Sequence, residues 1–390
     1  MRYWDALFAF LVAMAAAALL TPLAAMVARR VGAMAKPSDR GLAEEETPAL
    51  GGLAIFAGVL LAGAIWMPGN HHVTRAILAG AAVITLVGAI DDTVELSPLL
   101  KLLGQVAAAV LAVVVGGVKV SGVTLPFVGA LQFPVDGGLL AVIWLVGIMN
   151  MVNFIDGVDG LAAGVCTIDG IAFAIIAFEL RGPSSTLAGI LAAVTAGAAL
   201  GFLFHNFHPA SVFMGDSGAN LLGYLLGVVT IEGTLKTNAV IALIAPLVIL
   251  AVPFLDTGFV VAKRLKYRRK PWTADANHFH HRMARIGYSQ RKTVAYMYAW
   301  TALLASFAVA ERVIPWHRHQ NYYVGWTILM AALGVVALAG SIYLVYVLEI
   351  FKFKRLRARD LRREEPDTSE HEIEVRVRRE VETGEFETVG

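Results

Sequence analysis

The stretch Asn150-Met-Val-Asn153-Phe-Ile-Asp156-Gly-Val-Asp159-Gly-Leu-Ala-Ala-Gly164 places two carboxylates and two carboxamides within ten residues, between strongly apolar flanks. Each such group left unpaired in hydrocarbon costs on the order of several kcal/mol, so the stretch is either a ligand site or a helix end wetted by the headgroup layer. Glycines at 157, 160 and 164 let the backbone turn tightly and approach a ligand. Three further clusters carry groups of the same kind. Gly88-Ala-Ile-Asp91-Asp92 is followed by Lys101. Neighbouring carboxylates repel unless a cation sits beside them, and a hard divalent ion suits a few carboxylate oxygens plus substrate phosphates; the alternative is a solvated helix end. In Asn206-Phe-His-Pro-Ala-Ser-Val-Phe213-Met-Gly215-Asp216-Ser217-Gly218 the small residues around Asp216 leave room for a ligand, and Ser217 is placed to cap the next helix. Amides at such a helix start can meet phosphate. Phe213 either stacks on a base or simply packs. The fourth cluster, Asp275-Ala-Asn-His278-Phe-His280-His281-Arg282, is a transition-metal site or a polar wall for an anion. Arg264 and Arg282 on either side favour a diphosphate.

The elements that must position these groups are membrane helices. The 390 residues are 57% hydrophobic and 16% charged, with mean hydropathy +0.67, which excludes an ordinary soluble domain. A single cysteine, Cys166, excludes a disulfide framework and a cysteine-built metal site. Nothing in the composition points to nucleic acid. The run Ala6–Ala28 is long enough to span, Arg2 is offset by Asp5, and Arg29-Arg30 closes the run. It reads as a retained first helix with its N-terminus outside, not as a cleavable signal. Apolar runs at 50–67, 75–90, 99–116, 139–155, 161–179, 185–204, 219–233, 239–258, 293–310 and 323–350 bring the expected spans to eleven, with the C-terminus inside. Positive charge agrees. Lys36, Arg40, Lys101, the run Lys263–Lys270, Arg282, Arg285, Arg291 and Lys292 fall inside, whereas Arg75, Lys119, Arg181, Lys236, Arg312 and Arg318 are scattered singly outside. All four polar clusters then share the inner face.

The fold expected is an all-α polytopic membrane protein, residues 1–351, with a charged cytoplasmic tail over 352–390. In the loop Gly117–Gly138 the alternation Val118–Leu125, followed by Pro126 and Pro134, predicts a short β-hairpin over the outer face. In the tail, Ile373-Glu-Val-Arg-Val377 alternates like a strand. The basic start of the tail is expected near anionic lipid.

Together the clusters resemble the polyprenyl-phosphate N-acetylhexosamine-1-phosphate transferases, the superfamily of WecA, TagO and MraY, over roughly residues 30 to 290. The histidine loop and Gly287-Tyr-Ser-Gln-Arg291 are closer to the WecA/TagO branch. The resemblance implies eleven spans, a cytoplasmic active site in a bacterial inner membrane, and Mg²⁺, with Mn²⁺ as a chemically acceptable substitute. It implies transfer of GlcNAc-1-phosphate from a UDP-sugar to an undecaprenyl-type phosphate with release of UMP, an early membrane step of envelope polysaccharide synthesis. A homodimer is compatible with this. Carried over by position, Asp91 and Asp92 are the aspartate pair for metal handling or nucleophile activation, and Lys101 is the lysine that follows it. Asn153, Asp156 and Asp159 are the central polar positions, Asp216 the metal aspartate, and His278, His280 and His281 the loop histidines. Asn150, Phe213, Gly215, Arg264 and Arg282 are assigned to substrate binding, and Asp92 joins Asp216 at the metal. The chain departs from relatives at Ala35 and Ala43, where Asp and His are common. Two alternatives stand beside this reading. One is a UDP-MurNAc-pentapeptide phosphotransferase. The other is an ion-coupled transporter of an anion, for which Asp169 inside the sixth span is the main support; it is otherwise expected to be a buried, hydrogen-bonded structural carboxylate.

Overall fold

A helix needs about 20 residues to cross the hydrocarbon layer, and the apolar runs fold into helices of that length. The computed structural model describes residues 3–35, 46–67, 71–120, 122–125, 129–132, 137–180, 183–235, 248, 250–251, 254, 289–314, 317–318, 321–346, 358–359, 361–362 and 369–383. Its helices are α1 (Tyr3–Val31), α2 (Gly51–Trp66), α3 (His71–Val94), α4 (Pro98–Val110), α5 (Gly137–Ile155), α6 (Leu161–Leu180), α7 (Pro183–Asn206), α8 (Gly215–Thr230), α9 (Gln290–Val313), α10 (Val324–Tyr346) and α11 (Glu370–Thr383). Single π-helical turns extend α4 over Leu111–Val115 and α8 over Ile231–Leu235. By length and composition, eight described helices can cross a membrane, and α2 is a shorter apolar helix. The chain is a multi-pass membrane protein. The expected span at 239–258 lies almost wholly outside the described residues, as do the histidine loop, Arg264, Arg282, Lys36 and Arg40.

Helix α8 is the axis of the bundle: every residue from Ser217 to Thr230 is buried. Helices α3 and α5 flank it, α2 and α7 close around it, and α1 packs along α7 and α2. Helix α10 is peripheral and touches the bundle through α9. Without a hydrophobic force between helices in lipid, close backbone approach at small residues drives the packing. On α7, a Cβ added at Gly197 or Gly201 would lie 2.2 Å from the Phe10 carbonyl oxygen and 2.0 Å from that of Met14. Polar side chains in the bundle satisfy themselves locally. The hydroxyls of Thr21, Thr85 and Thr195 donate to the carbonyl four residues back at 2.7 Å, and that of Thr167 does so at 2.8 Å. Asp169 on α6 departs from this rule and from the sequence expectation. It is fully buried, yet neither carboxylate oxygen has a hydrogen-bond partner among the described residues.

Three two-stranded antiparallel pairs occur: β1 (Met34–Ala35) with β2 (Thr47–Pro48), β3 (Gly122–Leu125) with β4 (Gly129–Gln132), and β5 (His317–Arg318) with β6 (Asn321–Tyr322). The β3–β4 pair is the hairpin read from the alternation, with Gly122 opposite Gln132. The strand reading of Ile373–Val377 fails, because those residues lie in α11. Five alternating residues cannot by themselves separate helix from strand, and a capping box decides here. The Ser369 hydroxyl accepts from the Glu372 amide, and the Glu372 carboxylate accepts from the Ser369 amide, both at 3.3 Å. Ile373 and Val377, one turn apart, then pack on Leu361 and Ala358.

At one end of the bundle, Glu179 at the close of α6 takes the Tyr3 hydroxyl and Arg312, tying α1, α6 and α9 together. The opposite end holds the acidic residues. The α1–α7 approach gives a first prediction. Gly201→Ala should lose about 1–3 kcal/mol of stability by overpacking. It would be read as a lower melting temperature of the purified protein in detergent; unchanged melting would contradict the close approach.

Candidate active site at one end of the bundle

The site begins where α3 ends. Asp91 Oδ1 accepts the Leu96 amide at 2.7 Å, Glu95 takes φ 50°, and Ser97 caps α4 with Pro98 in its first turn. This short connection folds Lys101, in the first turn of α4, back onto α3. Its ammonium pairs with Asp91 and, at 3.0 Å, with Asp216 on α8. Asp91 is only 6% exposed.

Asp92 reaches in another direction. Its Oδ1 accepts the Asp216 amide at 2.7 Å and its Oδ2 the Ser217 amide at 3.2 Å. A carboxylate from α3 thus caps the first amides of α8, where the helix dipole favours negative charge. The expectation that Ser217 caps this helix is corrected. The helix starts at Gly215, so Ser217 sits inside the first turn and its hydroxyl donates to the Met214 carbonyl at 3.1 Å. An ionised acceptor makes the stronger bond to these amides. Close packing makes the reach feasible. A Cβ at Gly88 would sit 2.4 Å from the Ser217 amide nitrogen, and one at Gly215, which has φ +67°, would sit 2.3 Å from Asp92 Oδ2.

Asp216 is held on both oxygens, with Asn153 Nδ2 donating to Oδ1 at 2.9 Å and Lys101 to Oδ2. Behind it runs a chain of neutral amides. Asn220 donates to the Asp216 carbonyl at 2.8 Å, Gln105 donates to Asn220 Oδ1 at 2.8 Å, and Asn150 donates to Gln105 Oε1 at 2.8 Å. Asn150, expected on the substrate-binding wall, instead faces this chain and the Val146 carbonyl, and it does not line the cleft. Its role is to join α5 to α4.

The turn between α5 and α6 forms the next wall. Asp159 Oδ2 accepts the His208 ring Nδ1 at 2.9 Å and the Ala210 amide at 3.1 Å, which anchors the loop leading to Phe213 and Gly215. Asn206 Oδ1 accepts the Gly160 amide at 3.0 Å, and its Nδ2 donates to the Val212 carbonyl at 3.0 Å. Asp156 receives no hydrogen bond from any described side chain. Burial, and then the nearby carboxylates of Asp216, Asp92 and Asp159, push its carboxyl well above the usual range.

These groups surround a cleft of about 330 Å³. Asp92, Asn153, Asp156, Asp159, Phe213, Gly215 and Asp216 line it, with Ala35 and Ala49 from the β1–β2 end and Gln290 from the start of α9. Asp91 and Lys101 stand immediately behind Asp216 and are not in the lining. The structure therefore gathers most of the residues singled out in the sequence. His278, His280, His281, Arg264 and Arg282 lie outside the described residues. Sequence reasoning gave no role to Gln105, His208, Gln290 or Tyr298. A glutamine inside an apolar run was the available signal for Gln105; a tyrosine in a span reads as packing.

The donor set at the cleft is oxygen only and acidic, with Lys101 already shared between Asp91 and Asp216. Among the described residues no group of three or more His, Cys, Asp or Glu side chains converges as a complete metal cage. One or two carboxylates completed by substrate phosphates is the arrangement that suits Mg²⁺. Asp216 with either Asp92 or Asp156, all of which line the cleft, has the oxygen chemistry for such an ion.

Comparison with known proteins gives the chain relatives of one kind. Residues 74–234 match the family described as Glycosyl transferase family 4. A Bacillus subtilis (strain 168) protein named "Probable undecaprenyl-phosphate N-acetylglucosaminyl 1-phosphate transferase" is 37% identical over 298 residues, covering 74% of this chain and 80% of that protein. The decaprenyl-phosphate N-acetylglucosaminephosphotransferase of Mycobacterium tuberculosis (strain ATCC 25618 / H37Rv) is 36% identical over 315 residues, covering 73% and 77%. The undecaprenyl-phosphate alpha-N-acetylglucosaminyl 1-phosphate transferase of Escherichia coli (strain K12) is 27% identical over 322 residues, covering 80% and 84%. With an acidic cleft built by the matched segment and relatives aligned over most of its length, the chain belongs to glycosyl transferase family 4, among the polyprenyl-phosphate N-acetylhexosamine-1-phosphate transferases.

Proposed function

We propose that the protein transfers GlcNAc-1-phosphate from UDP-GlcNAc to a polyprenyl phosphate, releasing UMP, at the cytoplasmic face of a bacterial inner membrane. The observation that carries this reading is a cleft at one bundle end whose carboxylates outnumber the described cations beside it, in a chain akin to transferases of that name. Such a cleft suits a cation-neutralised diphosphate next to a lipid-borne phosphate. Eleven crossings, with the N-terminus outside, follow from the apolar runs and the positive-inside bias. The names of the relatives favour GlcNAc over a MurNAc-pentapeptide donor.

In the reaction an oxygen of the polyprenyl phosphate attacks the sugar-bearing phosphorus of the diphosphate, and the bond from that phosphorus to the UMP oxygen breaks. Both reactants are anions, so positioning and charge neutralisation carry the catalysis. Asp216, with Asp92 or Asp156, would hold Mg²⁺, which would supply positive charge to the diphosphate and the departing UMP. Asn153 and Lys101 fix the Asp216 carboxylate. Asp91 spends one oxygen on the Leu96 amide and the other on Lys101, so we assign it to orienting Lys101 and not to the base. The acceptor needs no strong base, because the second pKa of a phosphate monoester is ~6. Phe213 offers an aromatic face for uracil. His278, His280, His281, Arg264 and Arg282 are assigned to the donor and acceptor phosphates on their chemistry.

Purified protein given polyprenyl phosphate, Mg²⁺ and a panel of UDP-sugars should release UMP with UDP-GlcNAc, and chelation should stop the release. If no UDP-sugar yields UMP while proteoliposomes accumulate an anion, the transporter reading replaces this one. Asp216→Asn should lower kcat by about 10²–10³-fold, the range for losing one electrostatic stabiliser, without lowering the melting temperature. Near-normal turnover would remove Asp216 from the site. Asp156 makes a prediction of opposite sign for stability. Its folded-state pKa is raised, so the folded chain keeps a proton that the unfolded chain releases. That contribution is present at acid pH and is lost as pH rises through the folded-state value. Asp156→Asn should therefore raise the melting temperature at pH 8 more than at pH 5 while impairing turnover. Equal shifts at both pH values would contradict the assignment.

A further inference from the structure

Gly160 ends the turn that carries Asp156 and Asp159, and its two backbone groups are claimed from different sides. Its amide donates to Asn206 on α7, and its carbonyl accepts from the Gly164 amide at 2.9 Å and from the Tyr298 hydroxyl of α9 at 2.5 Å. With φ +77°, Gly160 holds a conformation that only glycine adopts at little cost, so the direction of this peptide sets how the preceding residues enter the cleft. The tyrosine is seated in a fitted socket. A Cβ at Gly164 would fall 2.0 Å from its hydroxyl oxygen and 2.1 Å from the ring carbon bearing it. Nothing larger than glycine at 164 lets α9 approach α6 this closely while the phenol meets the Gly160 carbonyl. The same helix begins at Gln290, which lines the cleft, and Arg291 donates to the His208 carbonyl at 3.4 Å. His208 in turn holds Asp159. Helix α9 therefore reaches this turn twice, directly at the Gly160 carbonyl and, by way of His208, at Asp159.

We propose that Tyr298 is a positioning residue of the transferase: its bond to the Gly160 carbonyl fixes the Asp156–Gly160 turn and registers α9 against it, so that Asp156 and Gln290 are presented together to one substrate in the cleft. Tyr298 touches no substrate itself. Its effect falls on the alignment of reacting groups, which governs turnover more than ground-state donor binding. The inference rests on the transferase reading, and the unmodified protein in the same assay decides that reading first. A wild-type chain that releases no UMP from any UDP-sugar sinks the reaction, whereas an active wild type isolates the role of the tyrosine.

The experiment is Tyr298→Phe in the full-length protein, followed by UMP release, thermal melting and amide hydrogen exchange. The variant keeps the ring in its socket and removes only the hydroxyl. The expected result is a fall in kcat of about tenfold to a hundredfold, with KM for UDP-GlcNAc changed by less than about threefold. Amides of residues 156–161 should exchange faster while those of α9 stay protected and melting is nearly unchanged. A kcat within about twofold of wild type overturns the proposal. So does a joint loss of kcat, donor affinity, melting temperature and α9 protection, which would mark the tyrosine as a packing residue. If Tyr298→Phe does not accumulate in folded form, Gly164→Ala supplies the second arm. It keeps the phenol but drives it off the carbonyl, and the same kcat-specific loss is expected. Wild-type turnover in folded Gly164→Ala overturns the proposal equally.

Discussion

The carboxylate of Asp92 lies on the first amides of α8, and the geometry of the cleft follows from that contact. The first amides of a helix have no partner within it, and each one left buried and bare costs on the order of a few kcal/mol. Asp92 meets two of them from α3. It can do so only because Gly88 lets α3 lie against the Ser217 backbone and Gly215 leaves room for the carboxylate. One interaction thereby ties α3 to the start of α8 and brings Asp216 beside Lys101. The same contact concentrates negative charge where an anionic substrate has to bind, which is why a cation belongs to the reading of the site.

A second constraint is the imbalance this leaves. Lys101 compensates Asp91 and part of Asp216, while Asp156 has no donor among the described side chains and is held toward its neutral form. A chain built only for stability would replace such a carboxylate by an amide. Perturbed carboxyls of this kind cluster at functional sites. Around it the fixed groups are well anchored: Asp159 by His208 and Ala210, Gly160 by Asn206 and Tyr298.

Much of this was legible in the sequence, for a physical reason. Asp91-Asp92, Asn153, Asp156 and Asp216 are conspicuous because they interrupt apolar runs, and burying such groups in lipid requires a compensating use. Their partners were not legible, because the pairing is made by tertiary packing. Nothing local says that the amides of residues 216 and 217 bind a carboxylate more than a hundred positions earlier, and the local cap rule pointed to Ser217 instead. Asn150 was assigned to substrate binding, yet the helix turns it toward Gln105, and it is absent from the cleft lining that includes Asn153. The tail segment Ile373–Val377 was ambiguous at five residues, and the Ser369–Glu372 box just before it resolved the ambiguity. Asp169 was readable as buried, but its lack of a hydrogen-bond partner among the described residues was not.

The amide chain Asn150–Gln105–Asn220 has one more consequence. None of its members titrates between acid and alkaline pH, so the wall behind Asp216 keeps the same donors and acceptors whatever the protonation state of the cleft. The helices α4, α5 and α8 are joined by bonds that neither an arriving anion nor a departing proton can switch off. The scaffold is silent to charge. Any acid or alkaline limb in the turnover of this protein therefore originates outside this amide chain, among groups that gain or lose a proton.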